Sequence, residues 1–172
     1  ATVNAYMSQH QVNIWKQEWP LDDTAPGNDV VRLTNIELIP QLNGSELIDI
    51  RTPLQVKFRF YNYADQALLV AELVLFTASG ECIFDVSHPP QQFSAGWVEA
   101  VVEIPGKFLN DGAYYFGVAL FNGEKETLLY KEDCLHFTVA DYADNKDWYV
   151  KWWGYVRPDF PVTIRQAGDS VV

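Results

Sequence analysis

LQVKFRFYN, residues 54–62, sorts its side chains by parity. Leu54, Val56, Phe58 and Phe60 are apolar, while Gln55, Lys57, Arg59 and Tyr61 between them carry polar groups. Successive side chains of a strand point to opposite faces, so this stretch predicts a strand with one buried and one wet face. WVEAVVEI, residues 97–104, repeats the arrangement, with Val98, Ala100, Val102 and Ile104 expected inward and Trp97, Glu99 and Glu103 outward. VVRLTNIELI, residues 30–39, reads as an earlier strand, followed by the polar stretch QLNGSELIDIRTP. LLVAELVLFTA, residues 68–78, is nearly continuously apolar and runs through the turn ASGE into CIFDVS. That order predicts an antiparallel hairpin set in the core. YYFGVALFN, LLYKED and CLHFTVA, starting at residues 114, 128 and 134, add three more strands. Eight or nine strands and polar turns at short intervals argue an all-β antiparallel sandwich, with a closed barrel as the alternative.

The two ends of the chain read differently. ATVNAYMSQHQVNIW, residues 1–15, predicts a short helix with Val3, Tyr6, Met7 and Ile14 on one side. The turn-forming residues from Pro20 to Asn28, with Pro26 and Gly27 among them, break it. Residues 1–28 are therefore expected to be a leader and linker, and residues 29–172 the sandwich; Trp15 and Trp19 are expected to anchor the leader to it. DWYVKWWGYVRP, residues 147–158, places five rings among residues 148–155. As a strand it would send Val150, Trp152, Gly154 and Val156 to one face, and Tyr149, Lys151, Trp153, Tyr155 and Arg157 to the other.

Bulk properties narrow the function. Twelve Lys and Arg against 23 Asp and Glu give a formal charge of −11, which repels nucleic-acid phosphates, and the sequence has no basic patch to offset it. Cys82 and Cys134 both fall in predicted strands and read as small buried hydrophobes in a reducing compartment, with a disulfide as the lesser alternative. The start of the chain lacks a signal-peptide pattern, and no run approaches the roughly 18 apolar residues of a membrane span. A soluble, cytosolic protein is expected. The absence of an initiator Met reads as a fragment of a longer protein.

Catalytic signatures are sparse. The Gly106–Lys107 pair is followed by Phe108, not Ser or Thr, so no phosphate loop forms. His10, His88 and His136 are scattered without the spacing of a metal site. Cys134 and His136 share a strand face but lack a third partner, and Glu132–Asp133 and Asp22–Asp23 read as solvated turns. No enzyme, metal or cofactor is expected, although two converging acids of a glycoside hydrolase remain a third possibility.

Five stretches carry a family resemblance: TVNAYM, APGNDVVRLTNIEL, FTASGECIFDVS, IPGKFLNDGAYYFGVAL and WWGYVRP. Together they span nearly the whole chain and resemble the C-terminal domain of Wzt-type proteins, the ATP-binding subunits of ABC transporters that export O-antigen and related polysaccharides. The resemblance implies an immunoglobulin-like sandwich that dimerises and binds the exported glycan, often through its terminal sugar. It also implies a cytoplasmic domain, peripheral to the inner membrane, joined to the transporter's membrane subunit through an ATPase domain that this sequence lacks.

A sugar-binding surface needs rings to stack on the apolar face of a pyranose and polar groups to satisfy its hydroxyl rim. Outward strand positions supply both. Arg59 and Tyr61, with Lys57, lie on one predicted strand, Trp97 and Glu99 on another, Tyr115 on a third, and Trp153 and Tyr155 on the last. These seven residues besides Lys57 are the expected carbohydrate site. The rival expectation is an interaction module that uses the same rings for dimerisation.

Overall fold

A computed structural model describes residues 12–123, 126–141 and 152–164. Nine strands form among them: β1 (Lys16–Glu18), β2 (Val31–Pro40), β3 (Leu54–Asn62), β4 (Ala67–Thr77), β5 (Cys82–Ser87), β6 (Gln91–Phe93), β7 (Gly96–Ile104), β8 (Gly112–Asn122) and β9 (Glu126–Val139). One sheet has the order β1-β2-β3-β7 and the other β5-β4-β8-β9, with β6 sharing the free edge of β4 beside β5. These strands all pair antiparallel. The chain crosses between sheets three times, from β3 to β4, from β6 to β7 and from β7 to β8, the Greek-key connectivity of an immunoglobulin-like sandwich.

The parity of β3 is realised in full: Leu54, Val56, Phe58 and Phe60 are buried, and the residues between them face out. They meet Leu73 and Leu75 of β4, Phe116, Val118 and Leu120 of β8, and Leu135 and Phe137 of β9. Phe116 and Phe137 stack with centroids 5.2 Å apart. Each fully buried Phe or Leu contributes about 1.5–3 kcal/mol, so this layer dominates the stability. In β2 a register shift between Leu33 and Asn35 reverses the parity, which lets both Leu33 and Ile36 point inward.

The two long sides of the sandwich differ. On one side the chain before β2 seals the gap between sheets: Ile14 exchanges two backbone hydrogen bonds with His136 of β9, and β1 then pairs with β2. Trp15 and Trp19 pack against the core there, and Ala25 is buried. Among the described residues the other side is open. Edge strand β7 faces β5 and β6 across a groove of ≈ 500 Å³ lined in part by Val86, His88, Phe93, Val98, Ala100 and Val102. The inward residues of β7 before Ile104 are consequently only half-buried.

Several expectations change. The N-terminal helix falls mostly on residues 1–11, outside the described residues; Ile14 itself is in a strand bridge and residues 16–18 are β1. LLYKED and CLHFTVA are one continuous strand, β9, because irregularities at Phe116/Val118 and Leu120/Phe121 absorb the polar residues between them. The hairpin β4–β5 forms as expected, but β5 is an exposed edge rather than a core strand, and Cys82 is exposed. Cys134 is buried, and both thiols are free. The polar stretch 41–53 buries Ile48 and Ile50 through a parallel bridge between Asp49 and Ala140. In the aromatic segment, residues 147–151 lie outside the described residues, and residues 152–158 form no strand beyond a single bridge from Val156 to Leu109.

Candidate functional site

The pairing of β3 with β7, strands far apart in sequence, assembles the site. Arg59 lies opposite Glu99 and Tyr61 opposite Trp97 in register, so all four side chains share the outer face of the β1-β2-β3-β7 sheet. Tyr63, just past the end of β3, joins them. Its position is fixed by the buried Asn62 below, whose amide donates to the carbonyls of Ala64 (2.8 Å) and Ser94 (3.0 Å), tying the ends of the two strands together. Tyr61 meets Trp97 edge to face at 5.2 Å and Tyr63 at 4.8 Å. The Arg59 guanidinium lies over the Trp97 ring, 4.4 Å from its centroid, an arrangement that contributes about 0.5–1 kcal/mol at an exposed position.

Trp97 remains 49% exposed and Tyr63 45%. Among the described residues neither Arg59 nor Glu99 belongs to an ion pair, although they are cross-strand neighbours. The row they start continues across the sheet to Asn35 and Glu18, whose side chains hydrogen-bond at 3.4 Å. Lys57 lies on the next row, opposite Glu37 and Val101. The result is a shallow platform of exposed rings edged by a guanidinium, carboxylates and an amide. It offers ring surface for C–H groups and both donors and acceptors for hydroxyls.

The other three expected residues lie elsewhere. Tyr115 is on the outer face of the opposite sheet, stacked between Phe76 (5.0 Å) and His136 (5.8 Å), and its hydroxyl donates to Glu132 at 2.9 Å. Burial, reinforced by the Glu132 carboxylate, pushes this phenol up to about 12. Both faces of its ring are therefore occupied by neighbouring rings. Beside it His136 pairs with Asp133, not with Cys134, at a bulge where Asp133 adopts a positive φ of 66°. Cys134 lies buried beneath, its thiol pushed up to about 11 by burial and bonded to Lys131 O at 3.2 Å.

Trp153 and Tyr155 sit at the far end of the sandwich. Ile104 is seven residues from Trp97 along β7, roughly 23 Å at about 3.3 Å per residue, and residues 152–157 dock beyond it on residues 108–110. Trp153 is 99% exposed, while Tyr155 is held through its backbone, its carbonyl accepting from the Asn110 N–H at 2.9 Å. Arg157, expected outward, instead turns in to Asn110 and Asp141. Asn110 is the hub: its side-chain amide donates to the carbonyls of Trp152 (2.9 Å) and Gly154 (2.8 Å) and accepts from Arg157 Nε (2.9 Å). Sequence parity finds neither Asn110 nor the strand pairing, although Tyr63 continues the odd-numbered row of Arg59 and Tyr61 and was accessible that way. Among the described residues no cluster of three or more His, Cys, Asp or Glu is placed to hold a metal.

The fold and this platform define a class: an immunoglobulin-like sandwich with an exposed aromatic and polar patch on one sheet. No protein family's sequence profile matches the chain, and no curated protein matches it in sequence. Among solved structures the chain is similar to the C-terminal domain of Wzt, with a TM-score of 0.63 and 11% identity over 91% of both chains. It thus has a Wzt C-terminal-domain-like fold. A beta-galactosidase from Bacteroides fragilis (TM-score 0.42, 12% identity, 66% of this chain and 16% of that one) and the cupredoxin domain of amoB from Nitrosocaldus yellowstonii (0.37, 13%, 73% and 95%) are more distant. Among the described residues no helix is long and apolar enough to cross a membrane.

Proposed function

We propose that the chain is a non-catalytic carbohydrate-recognition domain at the C-terminus of the ATP-binding subunit of a polysaccharide ABC exporter, acting as a homodimer on the cytoplasmic side of the membrane. The supporting observation is the convergence of Arg59, Tyr61, Tyr63, Trp97 and Glu99 on one exposed sheet face of a Wzt-like fold. The platform, not the opposite sheet or the far end, is the proposed glycan site. Tyr115, Trp153 and Tyr155 have no part in it.

Calorimetry or a glycan array with Trp97→Ala tests this directly. Losing the contacts of the half-exposed Trp97 with Arg59 and Tyr61 costs about 1 kcal/mol of stability, which leaves the fold intact, whereas removing a stacking anchor costs about tenfold or more in affinity. Saccharide binding that disappears in a variant that still unfolds cooperatively, with its melting temperature lowered by only a few degrees, supports the proposal. Binding that survives intact, or no saccharide binding by the parent protein, overturns it.

A second reading, the interaction module, has an observation of its own. Phe160, Val162 and Ile164 alternate at period two and are 77%, 84% and 90% exposed, the pattern of a strand without a sheet. The chain reaches them directly from Arg157, whose N–H is bonded to Phe108 O, and Phe108 lines an apolar groove of ≈ 290 Å³ with Phe84, Val86, Val102 and Ile104. Seating residues 160–164 of one copy in the open β5–β7 side of another would cover both apolar surfaces and give the homodimer its interface. Replacing the three apolar residues by Ser then yields a monomer by sedimentation, and a variant that stays dimeric refutes this interface.

A further inference from the structure

The glycan platform carries a pair of opposite charges that ignore each other. Arg59 and Glu99 face one another across β3 and β7, yet the guanidinium lies over the Trp97 indole, its carbon 4.4 Å from the ring centroid, and among the described residues forms no ion pair with the carboxylate. A cation–π contact does not use up the N–H groups of Arg59, which is exposed and can still donate, and Glu99, exposed beside it, offers acceptors only. One exposed indole is thus flanked by a donor fork and a carboxylate.

Such a pair suits one ligand chemistry better than another. Neighbouring hydroxyls of a sugar can accept from the guanidinium and donate to the carboxylate at once, and both bonds are charge-assisted. An acidic sugar can satisfy Arg59 but must bring its own negative charge beside Glu99. The rest of the molecule worsens that mismatch. The row continues through Asn35 to Glu18, Glu37 lies on the next row, and the chain as a whole carries −11. Of the other cations on this face, Lys16 is already paired with Glu18 at 2.9 Å, and Arg32, opposite Tyr61, is turned to Asp23 and the Ala25 carbonyl. Lys57 lies on the row beyond Arg59, beside Glu37.

We infer that the platform selects an uncharged, diol-bearing stretch of polysaccharide and discriminates against uronic-acid or otherwise anionic chains, with Glu99 as the residue that sets this preference. The inference rests on the glycan-binding reading and adds to it the class of ligand and the source of selectivity.

Matched probes separate the two claims: neutral galacto- and manno-oligosaccharides against their uronate counterparts of equal length, measured by calorimetry on the whole chain at low and high salt. The neutral member of at least one pair binds about tenfold or more tightly than its uronate, and the gap narrows as salt rises. Glu99→Gln weakens the neutral ligand and strengthens the uronate, closing the gap, with no change in melting temperature because Glu99 is exposed and, among the described residues, outside any ion pair. A uronate that binds as tightly as its neutral partner overturns the inference but leaves glycan recognition standing. So does a neutral preference that Glu99→Gln leaves untouched. If no saccharide of either kind binds, the inference and the reading beneath it fall together.

Discussion

Asn110→Ala detaches the segment that follows residue 151 from the end of the sandwich without unfolding the sheets. The buried Asn110 side chain makes two amide bonds to the carbonyls of Trp152 and Gly154 and accepts one from Arg157 Nε. Neutral hydrogen bonds contribute about 1 kcal/mol each and a charge-assisted one about 1.5–3, so truncation removes about 4 kcal/mol of local stabilisation. What remains is the Arg157 N–H bond to Phe108 O (2.7 Å), the Asn110 N–H bond to Tyr155 O, the Tyr114 hydroxyl bond to Tyr155 O (3.3 Å), the Arg157–Asp141 ion pair (3.6 Å) and the packing of Val156 on the core. At about 1.4 kcal/mol per tenfold, local opening becomes about a thousandfold more frequent. Hydrogen exchange at the Arg157 amide reports that opening directly, because its acceptor is known. Amides of β4 and β8 serve as controls and keep their protection, since none of their ladder bonds involves Asn110. A change of less than about tenfold at Arg157 would refute the view that side-chain hydrogen bonds, rather than apolar burial, hold this segment.

Other consequences are equally specific. Tyr114 is 1% exposed, its hydroxyl donates to Asn110 O at 3.0 Å, and burial, with Asp111 nearby, pushes its phenol up to about 12. The folded state therefore holds a proton that the unfolded chain loses near its ordinary value of 10.0, so stability is constant below that pH and falls through the range up to about 12, by about 3 kcal/mol. Denaturant titrations should show Tyr114→Phe losing about 1 kcal/mol at neutral pH but declining less steeply in alkali, and parallel declines would count against the assignment. Cys82 and Cys134 should separate kinetically: a thiol reagent labels the exposed Cys82 promptly, while Cys134, buried and pushed up to about 11, reacts at the rate of unfolding. Equal labelling rates would contradict the burial of Cys134.

How much of this was legible from residues alone depended on the kind of interaction involved. Where a strand buries one face, the hydrophobic effect writes a period of two into the sequence, and β3 and β7 are readable residue by residue. Where an edge strand buries little, as β5 does, apolar composition misleads, and Cys82 and Val86 end exposed. Bulges erase parity locally, so β9 reads as two strands. Its three-against-one irregularity opposite Gly117 has a steric side too: a Cβ there would lie 3.2 Å from Lys131 O. The site was half legible for a different reason. Parity marks Arg59, Tyr61, Trp97 and Glu99 as outward but is silent on which strands pair, and the β3–β7 pairing comes from the Greek key. The same silence leaves Tyr115 and Trp153 indistinguishable from the platform residues, although they lie on surfaces remote from it. Polar hubs leave no periodic trace at all, which is why Asn110 and the strand-end residue Asn62 emerge only in three dimensions.

The open side of the sandwich bears on the platform because β7 belongs to both. Its outward residues Trp97 and Glu99 belong to the proposed glycan surface, while its inward residues Val98, Ala100 and Val102 line the groove toward β5 and β6. Among the described residues the edge of β7 away from β3 has no strand beside it, so the backbone that sets the spacing of Trp97 and Glu99 is braced from one side. A strand from a second copy seated there would fix the other edge and cover the half-buried residues, reducing the freedom that a bound sugar must otherwise remove. Dimerisation and glycan affinity are then linked, and by thermodynamic reciprocity saturating glycan must tighten the dimer by the same factor that dimerisation tightens glycan binding. That linkage makes the two readings of the surface partners rather than alternatives. In the proposed assembly, the sheet carrying the platform would be completed by the contact that joins two copies.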